Sequence, residues 1–136
     1  MPYFYTFRIN PSYMKILLAV GAGSFIGGIM RYLLSLFIQT RATVAFPFGT
    51  LGVNLIGCFL MGLIFALISK GSLGAEWRPF LATGILGGFT TFSAFSLESV
   101  YMLQTEQYGQ AVLYMLASVL LGVLATFAGM WLVKLA

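Results

Sequence analysis

Four long apolar runs, separated by short polar turns, take up nearly all of this 136-residue chain. They fall at about residues 16–38, 49–68, 80–103 and 111–133. An α-helix rises about 1.5 Å per residue, so roughly 20 apolar residues cross a hydrocarbon layer of about 30 Å. Each run meets that length, and the spacing predicts an all-α integral membrane protein with four transmembrane helices. Residues 16–136 form one domain on this reading, preceded by an amino-terminal tail over residues 1–15.

Composition closes off the soluble alternative. The chain is 60% hydrophobic and only 7% charged, against about a quarter charged in ordinary soluble domains, so a water-facing fold would have too little to cover its surface. Membrane strands are excluded by length, since the runs far exceed the 9–11 residues of a spanning strand and do not alternate. Lipid also forbids open sheet edges, and a closed barrel needs more strands than this chain could supply. The tail, MPYFYTFRINPSYMK, contains Pro2 and Pro11, which discourage a long helix there. It does not read as a signal peptide, because the apolar stretch after it is too long and lacks a small-residue cleavage site.

Few side chains are suited to chemistry. Cys58 is the single cysteine, histidine is missing, and the only acids are Glu76, Glu98 and Glu106. An intrachain disulfide is impossible and a thiolate metal site is disfavoured. Metal, acid–base and nucleophile–base catalysis all lack parts, and the chain does not read as an enzyme. The net charge of +4 comes from scattered basic residues, which suit membrane flanks better than nucleic acid. Four spans put both termini on one side with Arg8, Lys15, Lys70, Arg78 and Lys134, leaving Arg41 and Glu106 opposite, with Arg31 toward that end of the first span. Positive-inside counting then favours cytoplasmic termini, on a small number of charges.

The informative residues are those that are costly in lipid. Arg31 must snorkel, pair or face water; it is either an interfacial anchor or the source of a positive potential at an aqueous vestibule. Asn54 either binds a neighbouring helix or offers its NH₂ as an uncharged donor that replaces an anion's hydration. Gly23 and Gly27 have the small-xxx-small spacing of closely packed membrane helices. In the third run, Gly84, Gly87 and Gly88 give way to Thr90, Thr91 and Ser93, which predicts a helix interruption near residues 87–91. The competing reading is a continuous helix whose hydroxyls bond back to earlier carbonyls. An interruption exposes backbone groups that need an ion, water or protein partner, and its carbonyls would suit a small cation. Phe92 and Phe95 share one helical face, as pure packing or as positive ring edges that brace an anion. Glu98 either holds its helix by hydrogen bonds or guards a water-filled mouth. Tyr114 and Ser118 on the last run are spaced to extend a polar track.

Taken together, GGIMR at 27–31, FGTLGVNLIG at 48–57 and GILGGFTTFSAFSLE at 84–98 resemble the CrcB/Fluc family of fluoride channels, across all four runs. The resemblance implies small subunits paired as an antiparallel, dual-topology dimer, with two fluoride pathways and a central structural Na⁺ held by carbonyls of broken third helices. Carried onto this chain, it implies the main-chain oxygens of Gly87 and Thr90 as sodium ligands. Phe92 and Phe95 would be fluoride-coordinating faces, Asn54 and Ser93 donors, Tyr114 and Ser118 pore-lining residues, and Arg31 and Glu98 vestibule or structural charges. Two positions depart from the pattern: Ala94, where a threonine is usual, and Gly122, where some relatives carry a hydroxyl. Both bear on the hydroxyl track.

The expected function is passive, fluoride-selective export through two pores of a homodimer in the bacterial plasma or inner membrane, with fluoride and membrane lipid as partners and no nucleic acid. The imbalance of basic residues sits uneasily with equal dual insertion, so a paired-homologue heterodimer stays open. Two other readings compete: a small dimeric transporter coupling ions or protons through Glu98, and a membrane assembly protein without transport.

Overall fold

The computed structural model describes residues 10–135; Arg8 and most of the tail lie outside the described residues. The first helix, α1 (Pro11–Gln39), starts five residues earlier than the apolar pattern predicts. Its start is set by a cap rather than by hydropathy: the Asn10 side chain accepts a hydrogen bond from Ser12 N at 3.0 Å. Pro11 occupies the first turn, where its missing N–H costs nothing. The proline that discourages a helix in the interior therefore opens one here, and the tail ends at residue 10.

After a loop closed by Pro47, α2 (Phe48–Ser69) recrosses the layer. It ends in a Schellman motif, with Gly71 at φ 77° and bonds from Gly71 N to Ile68 O and from Ser72 N to Leu67 O, both 3.0 Å. A short 3₁₀ turn (Ala75–Trp77) leads into the third span, which is not one regular helix. It is wound as a π-helix over Pro79–Leu86 and as a single α-turn, α3, over Gly87–Phe89. Thr90 (φ −88°, ψ 155°) and Thr91 (φ −147°, ψ 121°) are extended, and α4 (Phe92–Gln104) then resumes. A second Schellman turn puts Glu106 at φ 61°, with Glu106 N on Leu103 O at 3.2 Å and Gln107 N on Met102 O at 2.8 Å. The last helix is α5 (Tyr108–Leu135). Four helical segments, Pro11–Gln39, Phe48–Ser69, Ala75–Gln104 and Tyr108–Leu135, are long and apolar enough to cross a membrane.

Packing follows the small residues. Lipid gives apolar side chains no reason to cluster, so membrane helices associate where backbones approach closely. The principal helix pairs are α2 with α5, and α1 with the π-helix and α3. In the second pair a side chain at Gly23 would meet Phe80 O at 2.5 Å, and one at Gly27 would collide with the Ile85 carbonyl. At the first, a side chain on Gly129 would run into Phe59 O. The tightly buried apolar residues are few. Val53, Leu86 and Phe89 form one cluster and Met102, Ala111 and Tyr114 another, while large residues such as Phe25, Leu33, Leu124 and Trp131 point outward. A hydrophobic exterior around a thin glycine-packed interior is what a lipid solvent selects. At one face of the bundle Lys70 Nζ donates to Val133 O at 3.4 Å, tying the carboxyl ends of α2 and α5 together.

Candidate functional site

Two adjacent residues leave the helical path in the third span, and their polar backbone must be accounted for. Asn54, one helix away on α2, does most of it: Thr91 N donates to Asn54 Oδ1 at 2.9 Å and Asn54 Nδ2 donates to Thr91 O at 3.1 Å. The amide thus acts as a substitute peptide group, pairing both backbone atoms of one residue that lipid could not satisfy. Thr90 N still reaches Leu86 O at 3.0 Å, and Thr91 Oγ1 caps α4 by accepting from Ala94 N at 3.3 Å.

The bridge and the cap together leave two carbonyls without their helical partners. In a continued helix Thr91 N would bond to Gly87 O and Ala94 N to Thr90 O; both donors are diverted, to Asn54 and to Thr91 Oγ1. Among the described residues no group of three His, Cys, Asp or Glu side chains could hold a metal ion. Hard carbonyl oxygens without their helical partners are a donor set that fits a small alkali cation and does not fit a transition metal.

The glycines before the interruption do a different job from the one the sequence pattern implies. Gly87 and Gly88 are helical, and the departure is confined to the two threonines. A side chain on Gly88 would meet Ser24 O at 2.6 Å, so this glycine serves contact with α1 and the irregular backbone comes from the Asn54 bridge.

The aromatic and hydroxyl residues collect beside the bridge. Asn54, Thr91, Phe92, Phe95 and Ser118 line one cleft between α2, α4 and α5. The Phe92 and Phe95 ring centroids lie 5.5 Å apart at 45°, and Phe92 is 78% exposed on the isolated chain. Ser118 Oγ is buried and has no hydrogen-bond partner. Ser93 stands aside from this cleft, its hydroxyl 3.1 Å from Thr91 Oγ1.

Phe95 leads inward to a second polar group. Its ring packs 5.3 Å from that of Tyr114, which is fully buried and donates from its hydroxyl to Glu98 Oε2 at 2.6 Å. Thr50 donates to Glu98 Oε1 at 2.6 Å. Both carboxylate oxygens are therefore held, by α2 on one side and α5 on the other. Tyr114 is thereby packed between the Phe95 ring and the Glu98 carboxylate. Arg31 lies in a separate cleft with Ser35, Gln39, Thr50 and Thr91, its Nε buried without a hydrogen-bond partner. Thr91 lines both this cleft and the aromatic one, and Thr50 lines both this cleft and the one that holds Glu98.

Thr50 did not figure among the candidates from sequence. The signal was present: Thr50 precedes Asn54 by one turn on α2, so the two face the same direction. Gln39 and Phe46 were also passed over. Gln39 falls just after the first apolar run with no motif around it, and only the folded loop shows what its amide touches.

Known sequences match most of the membrane-spanning region. The family described as CrcB-like protein, Camphor Resistance (CrcB), matches residues 18–130. The protein called fluoride-specific ion channel FluC in Rhizobium meliloti (strain 1021) is 47% identical over 122 residues, covering 89% of this chain and 98% of that one. Its namesake in Phenylobacterium zucineum (strain HLK1) is 47% identical over 123 residues, with 89% and 97% covered. That of Thermus thermophilus is 45% identical over 112 residues, with 82% and 88% covered. With the match running from the first span to the last and taking in the Asn54 bridge, the glycine contacts and the phenylalanine pair, this chain belongs to the CrcB-like family.

Proposed function

We propose that this protein is a fluoride-selective channel, a multi-pass protein of the bacterial plasma or inner membrane that lets fluoride leave down its electrochemical gradient. The observation that carries the reading is the Asn54–Thr91 bridge in the third span on a chain whose relatives are named fluoride-specific ion channels. Such a channel is not an enzyme. Fluoride is small and strongly hydrated, so it crosses only where close donors replace its water, and those donors must hold it weakly enough to let it go. Asn54, Ser93 and Ser118 are uncharged donors, and the edges of Phe92 and Phe95 add a positive rim without a salt bridge. Arg31 draws anions toward the mouth, while Glu98 is held by Thr50 and Tyr114 at the track's inner wall.

The functional unit in this reading is an antiparallel homodimer with a broken third helix in each subunit and two pores, embedded in membrane lipid. Several features of one chain support it: Phe92 exposed beside the cleft, the extended backbone at Thr90 and Thr91, and the freed carbonyls of Gly87 and Thr90. Those carbonyls, contributed by both subunits, would hold a structural Na⁺, whose charge would lend the dimer centre a positive potential.

The coupled-transporter reading leans on Glu98, and the geometry gives that acid a holding role between two hydroxyls. Flux from proteoliposomes separates the readings. The channel passes fluoride but not chloride, passively; chloride flux without fluoride flux would overturn it, and fluoride accumulation against its gradient would favour the transporter.

A further inference from the structure

The loop between α1 and α2 is fastened by one side chain. Gln39 Nε2 donates to Phe46 O at 3.0 Å, and Gln39 Oε1 accepts from Gly49 N at 2.9 Å. The amide thus grips the loop on both sides of Pro47. Both gripped residues lead to the Glu98 group. Phe46 sets its ring edge-on against Tyr114, with centroids 5.6 Å apart at 85°. Gly49 precedes Thr50, whose hydroxyl is on Glu98 at 2.6 Å. Gly49 lies tight against α1, where a side chain would meet Ser35 O at 2.7 Å. Gln39, Ser35 and Thr50 also line both the cleft that holds Arg31 and the cleft that holds Glu98, so the clip sits where the two join.

We infer that Gln39 is a positioning residue for ion passage: by holding Phe46 and Gly49 it sets Tyr114 and Thr50 on the two oxygens of Glu98 and fixes the shape of the mouth that joins the two clefts. The inference rests on the channel reading above. Gln39 itself touches none of the groups assigned to fluoride, and it acts through the loop. An α1 residue therefore reaches the carboxylate on α4 by two routes, one through Phe46 and Tyr114 and one through Gly49 and Thr50.

The experiment compares fluoride efflux from proteoliposomes for the full chain and two variants, Gln39→Met and Gln39→Glu. Methionine keeps length and bulk but removes both hydrogen bonds. Ionised glutamate keeps the acceptor for Gly49 N and sets a second acceptor against Phe46 O; protonated glutamate restores the donor. Gln39→Met is expected to conduct about 3- to 10-fold more slowly, with unchanged elution on size exclusion. The Gln39→Glu rate, taken as a ratio to the original chain at each pH, is expected to rise as pH falls from 8 to 5. Titratable and charged groups around the clip are Arg31 and Tyr32 on α1, Glu98 and Tyr101 on α4 and Tyr114 on α5, with Arg41 stacked on Phe37 at 3.8 Å. All are shared with the original chain, so the ratio reports the residue at 39. A Gln39→Met chain that conducts at the original rate, or a Gln39→Glu ratio flat with pH, would overturn the inference. Failure of the original chain to conduct fluoride would instead overturn the channel reading.

Discussion

Replacing Asn54 by leucine tests the central geometry. Leucine keeps the number and branching of the side-chain heavy atoms and has a good helix propensity, so α2 should form unchanged. What is lost is the pair of bonds to Thr91, 2.9 Å to its N–H and 3.1 Å from its carbonyl. A buried donor or acceptor left unpaired costs about 1–3 kcal/mol, and lipid offers no substitute. Water entering the adjoining cleft offsets part of this, leaving about 2–4 kcal/mol against the extended conformation. The nearest remedy for Thr91 N is the Gly87 carbonyl, its partner in a continuous helix, so the variant is driven to rewind residues 90–91. At about 1.4 kcal/mol per factor of ten, fluoride flux should fall about 30- to 1000-fold. The assay is efflux from proteoliposomes read with a fluoride electrode, alongside size exclusion to establish that the protein is intact. A leucine variant that is intact and conducts within twofold of the original would refute the reasoning, because the bridge would then be dispensable.

Three further outcomes follow from particular contacts. Phe92→Ile and Phe95→Ile should each cut fluoride flux more than about tenfold, since an aliphatic side chain has the bulk but not the positive ring edge; the same liposome assay checks this. Gly27→Ala puts a side chain against the Ile85 carbonyl and should destabilise the α1 contact by about 1–3 kcal/mol, seen as a lower midpoint of thermal aggregation in detergent. Glu106→Gly relieves a left-handed residue at φ 61° and should raise that midpoint, by about 1 kcal/mol of stability, with flux unchanged.

Much of this molecule was legible from residue order alone because lipid is so demanding a solvent. Apolar runs of spanning length can only be helices, turn residues can only lie between them, and Asn54 or Glu98 can be spared only at a cost that marks them as special. The motif around residues 84–98 carried the family, and the threonines at 90 and 91 lay inside the stretch named for an interruption. What the order of residues could not supply was which backbone atoms pair across spans. It put the cause of the irregularity in Gly87 and Gly88, whereas the folded chain keeps these helical against α1 and turns aside only where Asn54, more than thirty positions earlier, captures Thr91. It likewise could not find Thr50 and Tyr114 on the two oxygens of Glu98, or Gln39 across the loop. Hydropathy is a property of each residue and survives in a list. A hydrogen bond between helices depends on their rotation and depth, which are fixed by glycine contacts made after the spans have formed, and those arise only in three dimensions.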